Sequence, residues 1–533
     1  MKFGSVSGFS GWGEPIFGTV NYWGGFEDIP AFLQSAGYIV IIVRIGPLSS
    51  NWERACEVYR QLSYGNFDAP ATFPASMMGI DYGPTYPARY GYNMIGNTKR
   101  AVLYGTLPGG WAWSAASPVH FICHSQGGNT IRMLIELMSG NQNALHPLYF
   151  PAQNRQNWIK SVVTLGTPHK GTTITDVVNQ LLPQNQIDLV AIIARLVAST
   201  SFKQPRSYDL QLDHWDFRRL PPAETFRRML ARLSGGAVLS WWQGPGGPHP
   251  PHNGFYDNSI DGVNRLNTFA PNPSPTIVYF TMSFDATVRF PDIDPTPSNS
   301  RSFPINPFLY PLSLLLNPGG YPFAAFSRGY SRALLSPSSV DYARWIPLPG
   351  PRVPRPDMLP LIILPALAMG GYNIPTVPAQ TSATFQRNDG IVNTASMNGP
   401  NNNQVYNIQG FAGAPAAPQA GRYWHIGVNE TIDHADQIGV FTDPATFMLM
   451  THISSLVSRS RAHVPAICRV GDKDVINWEI RLRLHPGQAG AQKTFSRGWK
   501  TYITLLLSGE AVSRGHDVTY GDICYKVHRE SCI

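Results

Sequence analysis

Charge is scarce in this 533-residue chain: Asp, Glu, Lys and Arg together make up 14% of it, against ~25% in an average globular domain. That scarcity, beside 12% aromatics, excludes the charge-rich, aromatic-poor compositions of disordered chains and coiled coils. No run of Lys or Arg exceeds two residues, although the net charge is +8. The basic cluster that a nucleic-acid footprint needs is therefore missing. A diffuse positive field suits anionic lipid or an interface instead.

Long apolar runs are missing too. The longest, Leu361 to Met369, is broken by Pro365, whereas a membrane-spanning helix needs ~20 apolar residues. No transmembrane segment is expected. Met1-Lys2 runs straight into a Gly- and Ser-containing stretch where the apolar core of a secretory leader belongs, so no leader is expected here and a cytoplasmic location is one alternative. Cysteine is sparse: Cys56, Cys123, Cys468, Cys524 and Cys532 are too few for a small disulfide-stapled scaffold, and their redox state stays open. Internal repeats are absent.

What is present is an alternation of strand and helix patterns. Tyr38-Ile39-Val40-Ile41-Ile42-Val43-Arg44-Ile45 is a β-branched run suited to a strand buried on both faces of a parallel sheet. A helical segment around Asn51 to Leu62 follows, then a strand at Val119-His120-Phe121-Ile122, a helix through Thr130 to Ile135 and a strand at Ser161 to Leu165. This order argues an α/β fold with a mainly parallel central sheet and helices on both faces. An amphipathic stretch covers about residues 174–200, readable as a core-packed helix pair. From about 291 to 378, proline recurs every few residues, and no regular structure is assigned to this insertion. A last helix is expected over Ala445 to Val457, which makes residues 1–457 one domain. Residues 458–533 form an extension of unassigned role with its own apolar segment, Thr501 to Leu507.

The strongest chemical signal is Cys123-His124-Ser125-Gln126-Gly127-Gly128, placed between a strand and a helix as a nucleophile elbow requires. Cys123 stands where the motif has its first glycine. A serine hydroxyl needs a general base to activate it and an acid to orient that base. In this fold the chain order is Ser, then acid, then His. Downstream, Asn388-Asp389-Gly390-Ile391-Val392-Asn393 offers Asp389, in a sequence that is also good turn chemistry. Thr431-Ile432-Asp433-His434-Ala435-Asp436 offers His434.

The chain resembles the secreted bacterial thermoalkalophilic lipases and their staphylococcal relatives. The resemblance rests on Gly8-Phe9-Ser10-Gly11-Trp12-Gly13, Tyr22-Trp23-Gly24-Gly25, Gly46-Pro47-Leu48-Ser49-Ser50-Asn51-Trp52, the Ser125 motif, Thr167-Pro168-His169-Lys170-Gly171-Thr172-Thr173, the Asp389 motif with Thr394, and Asp433-His434, all in collinear order. It implies an α/β-hydrolase fold and an extracellular triacylglycerol lipase that works at an oil–water interface through an acyl-enzyme. Ser125 is then the nucleophile, His434 the base and Asp389 the orienting acid. The backbone N–H groups of Phe9 and Gln126 form the oxyanion hole, and the stretch at 174–200 is a lid.

The resemblance also implies a structural Ca2+ held by Asp436, Asp443 and the Pro444 carbonyl, and no organic cofactor. The zinc positions of the thermoalkalophilic relatives correspond to Glu53, Tyr86, Tyr92 and Asp213. With both imidazoles replaced, no zinc is expected, and the two tyrosines are expected to hydrogen-bond to Glu53 or Asp213. One departure bears on activity. Family members carry His-Gly before the oxyanion residue, and here the pair is Ser7-Gly8 after a short first strand, which motivates the alternative of a catalytically silent hydrolase-fold protein that binds lipid or a partner.

Overall fold

The computed structural model describes residues 1–13, 15–16, 18–64, 101–141, 150, 152–184, 188–202, 208–220, 223–244, 251–289, 352–355, 358, 360–371, 385–400, 403–408, 419–430, 432–439, 518–520 and 523–525. The expected helix at Ala445–Val457, the segment Thr501–Leu507, most of the proline-rich insertion, and Tyr86, Tyr92, Asp443 and Pro444 lie outside them. The chain divides into two units, Met1–Leu449 and Met450–Ile533.

The first unit is built on an eight-stranded sheet. Its strands are β1 (Lys2–Val6), β2 (Ile39–Ile42), β3 (Val102–Tyr104), β4 (Val119–His124), β5 (Ile159–Leu165), β6 (Val278–Phe284), β9 (Val405–Asn407) and β10 (Arg422–Asn429), in the spatial order β3-β2-β1-β4-β5-β6-β10-β9. All neighbours run parallel except β2 and β3. Two further strands, β7 (Thr287–Arg289) and β8 (Arg352–Pro354), form a separate antiparallel pair. In the second unit, Val518–Tyr520 pairs antiparallel with Ile523–Tyr525.

The chain works outward from β1 to β3, then returns to lay β4 against the other side of β1, with Val6 opposite Cys123. The order therefore reverses between β1 and β4. In an open α/β sheet, the crevice beyond the carboxyl ends of the strands at such a reversal is where ligands bind.

Side chains alternate across the sheet. On one face Val119, Phe121 and Cys123 enter a buried cluster with Trp52, Ala55, Val58, Tyr59 and Leu62 of α2 (Asn51–Tyr64) and Ile131, Leu134 and Ile135 of α3 (Gln126–Leu137). Near the other end of the sheet, α1 (Ile29–Ser35) starts at Asp28, whose side chain accepts from Ala31 N–H, and packs beside β2 and β3.

Two regions depart from the expectations above. The amphipathic stretch is two helices that pack in different places. Helix α4 (Ile174–Gln184) contributes Val177 to a cluster with Ala368 and Met369. Helix α5 (Leu189–Ser201) joins α6 (Phe226–Arg232) and α7 (Val238–Gln243) around Ile193, Val197, Met229, Leu233, Val238 and Trp241. The proline-rich insertion, for its part, contains a helix at Pro360–Gly371. No apolar stripe announces this helix, because it is buried among Ala286 and Met358 on one side and Val177 on another, so its sequence is apolar nearly all round. Pro365 inside it removes one backbone donor, which hides the helix from local rules.

Candidate active site

The two loops that leave the reversal point carry the first candidates. Strand β4 ends at His124, and Ser125 turns the chain into α3 with φ 53° and ψ −129°. A non-glycine residue there stores ~1–3 kcal/mol of strain, which the surroundings hold in place. Ser125 N–H donates to the Leu165 carbonyl (2.8 Å), and the Ser125 carbonyl accepts from Thr167 Oγ1 (2.8 Å) and Gly128 N–H (3.2 Å). The glycines that follow are space requirements. A Cβ on Gly127 would sit 2.6 Å from the Val6 carbonyl oxygen, and one on Gly128 would sit 2.3 Å from Thr167 Oγ1. Their presence in the first turn of a helix is unfavourable by roughly 1 kcal/mol each, and it lets α3 start directly against the end of β1.

The loop after β1 meets the elbow at Gly8, where a Cβ would lie 2.6 Å from Ser125 Cβ. This loop is held from below by Arg54 of α2, which is fully buried. Its guanidinium donates to the carbonyls of Ser7, Gly8 (3.1 Å) and Gly46 (3.1 Å) and to Thr130 Oγ1 (3.0 Å). Burial pulls its pKa down to about 10. With Ser7 and Gly8 fixed through their carbonyls, the N–H of Phe9 is left for something else. Among the described residues neither Phe9 N–H nor Gln126 N–H has an acceptor, the second being the first residue of a helix.

Asp389 and His434 come from the far side of the sheet. Asp389 is fully buried in the expected polar turn, where Oδ1 accepts from the N–H groups of Ile391 (3.0 Å) and Val392 (2.8 Å). Its Oδ2 accepts from His434 Nδ1 (2.7 Å) and from Gln437 Nε2 (2.7 Å), and its carbonyl accepts from His434 N–H (3.0 Å). The His434 ring lies beside that of His124, with centroids 4.5 Å apart. Ser125 Oγ makes no hydrogen bond among the described residues, so its link to His434 is open in this conformation.

A one-way chain of donors ties the loops together. The His434 carbonyl can only accept, so His124 Nε2 (3.1 Å) carries the proton. His124 Nδ1 is then an acceptor for the Tyr22 hydroxyl (2.7 Å), and the Tyr22 oxygen accepts from Gly8 N–H (2.7 Å). Burial and the neighbouring His434 hold His124 well below the usual imidazole range, so it stays neutral. Tyr22, His124, Arg54 and Gln437 were not singled out from the sequence as functional. Tyr22 and His124 lie within quoted motifs, and Arg54 follows two residues after one.

Of the residues expected to hold Ca2+, only Asp436 is among those described, and its Oδ2 accepts from Asp433 N–H (3.2 Å). At the positions aligned with zinc ligands, Tyr86 and Tyr92 lie outside the described residues, and Glu53 bonds to other groups as well. Glu53 is fully buried; its Oε1 accepts from His214 Nε2 and Trp215 Nε1 (2.8 Å each), and its Oε2 from Ser50 N–H (2.8 Å). Burial pushes this carboxyl up, but the hydrogen bonds from His214 and His252 outweigh it and hold it below the usual range. Asp213 opens the short turn that carries His214. Among the described residues, no group of three His, Cys, Asp or Glu side chains is placed to hold a metal ion.

Over the crevice lies the α5–α7 group, with Leu48 inside its cluster and Phe9 packed against it. It leaves apolar side chains in solvent: Ile192, Phe202, Phe226 and Leu239 are 48%, 37%, 41% and 40% exposed. No helix among the described residues is long and apolar enough to cross a membrane.

Residues 4–298 match a family described as "Lipase-like, C-terminal domain". The match takes in Phe9, Ser125 and Gln126, while Asp389 and His434 lie beyond it. Lipase 1 of Staphylococcus aureus is 29% identical over 296 residues, 53% of this chain and 38% of that protein. A lipase of Staphylococcus epidermidis is likewise 29% identical over 296 residues, 53% of this chain and 37% of its own. The chain thus spans well under half the length of these relatives. Staphylococcus hyicus lipase has the same fold, with a TM-score of 0.54 at 21% identity over 87% of this chain and 96% of that one. EstA from Clostridium botulinum gives 0.52 at 22% identity over 86% and 87%. With an eight-stranded, mainly parallel sheet and a family match over more than half its length, the chain belongs to the lipase-like family and adopts an α/β-hydrolase fold.

Proposed function

We propose that this protein is a serine carboxylester hydrolase, and that its substrates are triacylglycerols or similar lipid esters met at an oil–water interface outside the cell. The observation that carries the reading is the convergence at the reversal point of the sheet. Ser125 stands on a strained elbow, His434 and Asp389 are paired at 2.7 Å, and two N–H groups without acceptors flank the serine.

In this mechanism Ser125 Oγ attacks the ester carbonyl as its proton passes to His434 Nε2. Nδ1–H stays on Asp389, which orients the ring and stabilises the imidazolium. Negative charge on the carbonyl oxygen meets Phe9 N–H and Gln126 N–H, donors of a kind whose loss typically costs ~10²–10³ in rate. The C–O bond to the alcohol breaks as His434 returns the proton to it. Water then repeats the sequence on the acyl-serine and frees the acid. The open Ser125–His434 link is common in enzymes without substrate, where catalytic bonds tighten only on binding.

The exposed apolar side chains of α5–α7 support a lipid substrate, since they match an oil surface better than water. The expected Ca2+ site belongs to the same reading: Asp436 offers a hard oxygen donor of the kind Ca2+ takes, and no catalytic step runs through the ion. The silent-protein alternative, motivated by Ser7 before Gly8 and the short first strand, fits the open Ser125–His434 link as well. Ser125→Ala separates the two: hydrolysis of a p-nitrophenyl ester present in the parent and abolished in the variant supports the enzyme, and equal turnover in both removes Ser125 as nucleophile.

A further inference from the structure

Asp389 Oδ2 receives two donors, and the general mechanism uses only one of them. The second is Gln437 Nε2 at 2.7 Å, from the short turn Asp436–Ile438 that follows His434. Gln437 is fully buried. Its orientation follows from chemistry: only the nitrogen end of a carboxamide can face a carboxylate oxygen. The oxygen end, Oε1, is buried and makes no hydrogen bond of full geometry, though it faces His124 and favours the protonated form of that ring.

The space it occupies exists because of Gly166, where a Cβ would meet Oε1 at 2.3 Å. Gly166 directly follows Leu165, whose carbonyl accepts from Ser125 N–H (2.8 Å). The carboxamide therefore touches the acid at one end and the segment that seats the nucleophile elbow at the other. An apolar side chain of similar volume would fill the same space without a polar end to satisfy. The contribution of the glutamine to the acid thus lies at its nitrogen.

We propose that Gln437 is a positioning residue of this site, holding the Asp389 carboxylate in the orientation that presents Oδ2 to His434 Nδ1 and sharing the charge of that oxygen with the imidazole. The inference rests on the hydrolase reading above. With Oδ1 fixed by Ile391 and Val392 N–H and Oδ2 by Gln437, the carboxylate cannot rotate away when His434 gains or loses its proton.

Removing the amide leaves the acid freer, so kcat falls while substrate binding, which Gln437 does not touch, keeps KM unchanged.

The test compares the parent chain with Gln437→Leu, Gln437→Glu and Ser125→Ala on one soluble ester. Gln437→Leu is expected to lower kcat by about tenfold or more, with KM unchanged. Gln437→Glu has the parent's shape but sets a second carboxyl against Asp389 in place of the amide donor, and is expected to lower kcat too, again with KM unchanged. Parent-like kcat in Gln437→Leu overturns the proposal. If Gln437→Leu does not fold, a parent-like kcat in Gln437→Glu overturns it equally. Parent-like turnover in Ser125→Ala overturns the hydrolase reading itself. A dead Ser125→Ala beside a parent-like Gln437→Leu overturns only the role of Gln437.

Discussion

The crevice and the helices above it are held by different physics. Around the crevice, directional bonds hold the buried polar groups that shape it: Arg54 to three carbonyls and Thr130, Tyr22 to His124, and the Asp389 carboxylate to four donors. The α5–α7 group is held by Ile193, Val197, Met229, Leu233 and Trp241. Among the described residues, no side chain of α5, α6 or α7 hydrogen-bonds outside 188–244. Its anchors are at its edges, where Tyr208 donates to the Ser10 carbonyl, Gln211 Nε2 to the Ile45 carbonyl, and His214 and Trp215 to Glu53. Directional bonds fix atoms to a fraction of an ångström, as the chemistry requires. Apolar contact is non-directional, so a group of helices held by it can shift as a body at the cost of few polar contacts, one of them the bond from Asn253 Nδ2 to the Trp242 carbonyl (3.0 Å). On the proposed function, the fixed part is the machinery and the cover is the part able to answer to its surroundings.

The largest effect expected from breaking this division is on the machinery. Arg54→Met removes every guanidinium bond to the loop after β1, which carries the proposed oxyanion donor Phe9, while keeping much of the apolar stem. It is expected to lower kcat/KM for a soluble ester by ~10²-fold or more and to reduce Tm, since buried carbonyls lose their donor. A variant with parent-like kcat/KM would mean that the loop is fixed by packing instead.

Next comes the cover. Exposing apolar surface costs ~25 cal/mol per Å² in water, and an oil surface removes that cost. The double variant Ile192→Ser with Phe226→Ser is expected to lose several-fold in rate on emulsified ester and to stay within about twofold of the parent on the same ester as monomers. Equal losses on both forms would place these side chains in the machinery.

The smallest effect belongs to the seam between the regions, where Glu53 receives His214 and Trp215. Its folded pKa lies below the ordinary carboxylate value, so its contribution to stability is present above about pH 4.5 and is lost as pH falls through the folded value. Glu53→Gln is expected to lower Tm by about 5 °C at pH 7. The difference from the parent should shrink below pH 4.5. A constant difference across that range would assign the effect to shape, not charge.

The two regions were also unequally legible in the sequence. The strand and helix around Ser125 are written locally, in β-branched runs and in glycines that steric contact requires, and the structure places that elbow at the sheet reversal. Asp389 and His434 needed the collinear resemblance, because a turn aspartate and a loop histidine carry no local mark of partnership across 45 residues. Arg54 bonds mostly to backbone carbonyls, which any sequence supplies, so nothing in the chain names its partners. Glu53 meets His214 across 161 residues, where tertiary approach alone decides the pairing. The helix at Pro360–Gly371 was missed because a helix buried on several sides has no stripe to read.

The central claim is that Ser125 is an activated nucleophile facing a working oxyanion hole. Incubation of the full chain with a fluorophosphonate ester, followed by peptide mapping, tests it most directly, because capture requires both. One phosphonyl adduct per chain is expected, on Ser125, lost in His434→Ala. An unlabelled chain, or an adduct on another serine, would contradict it.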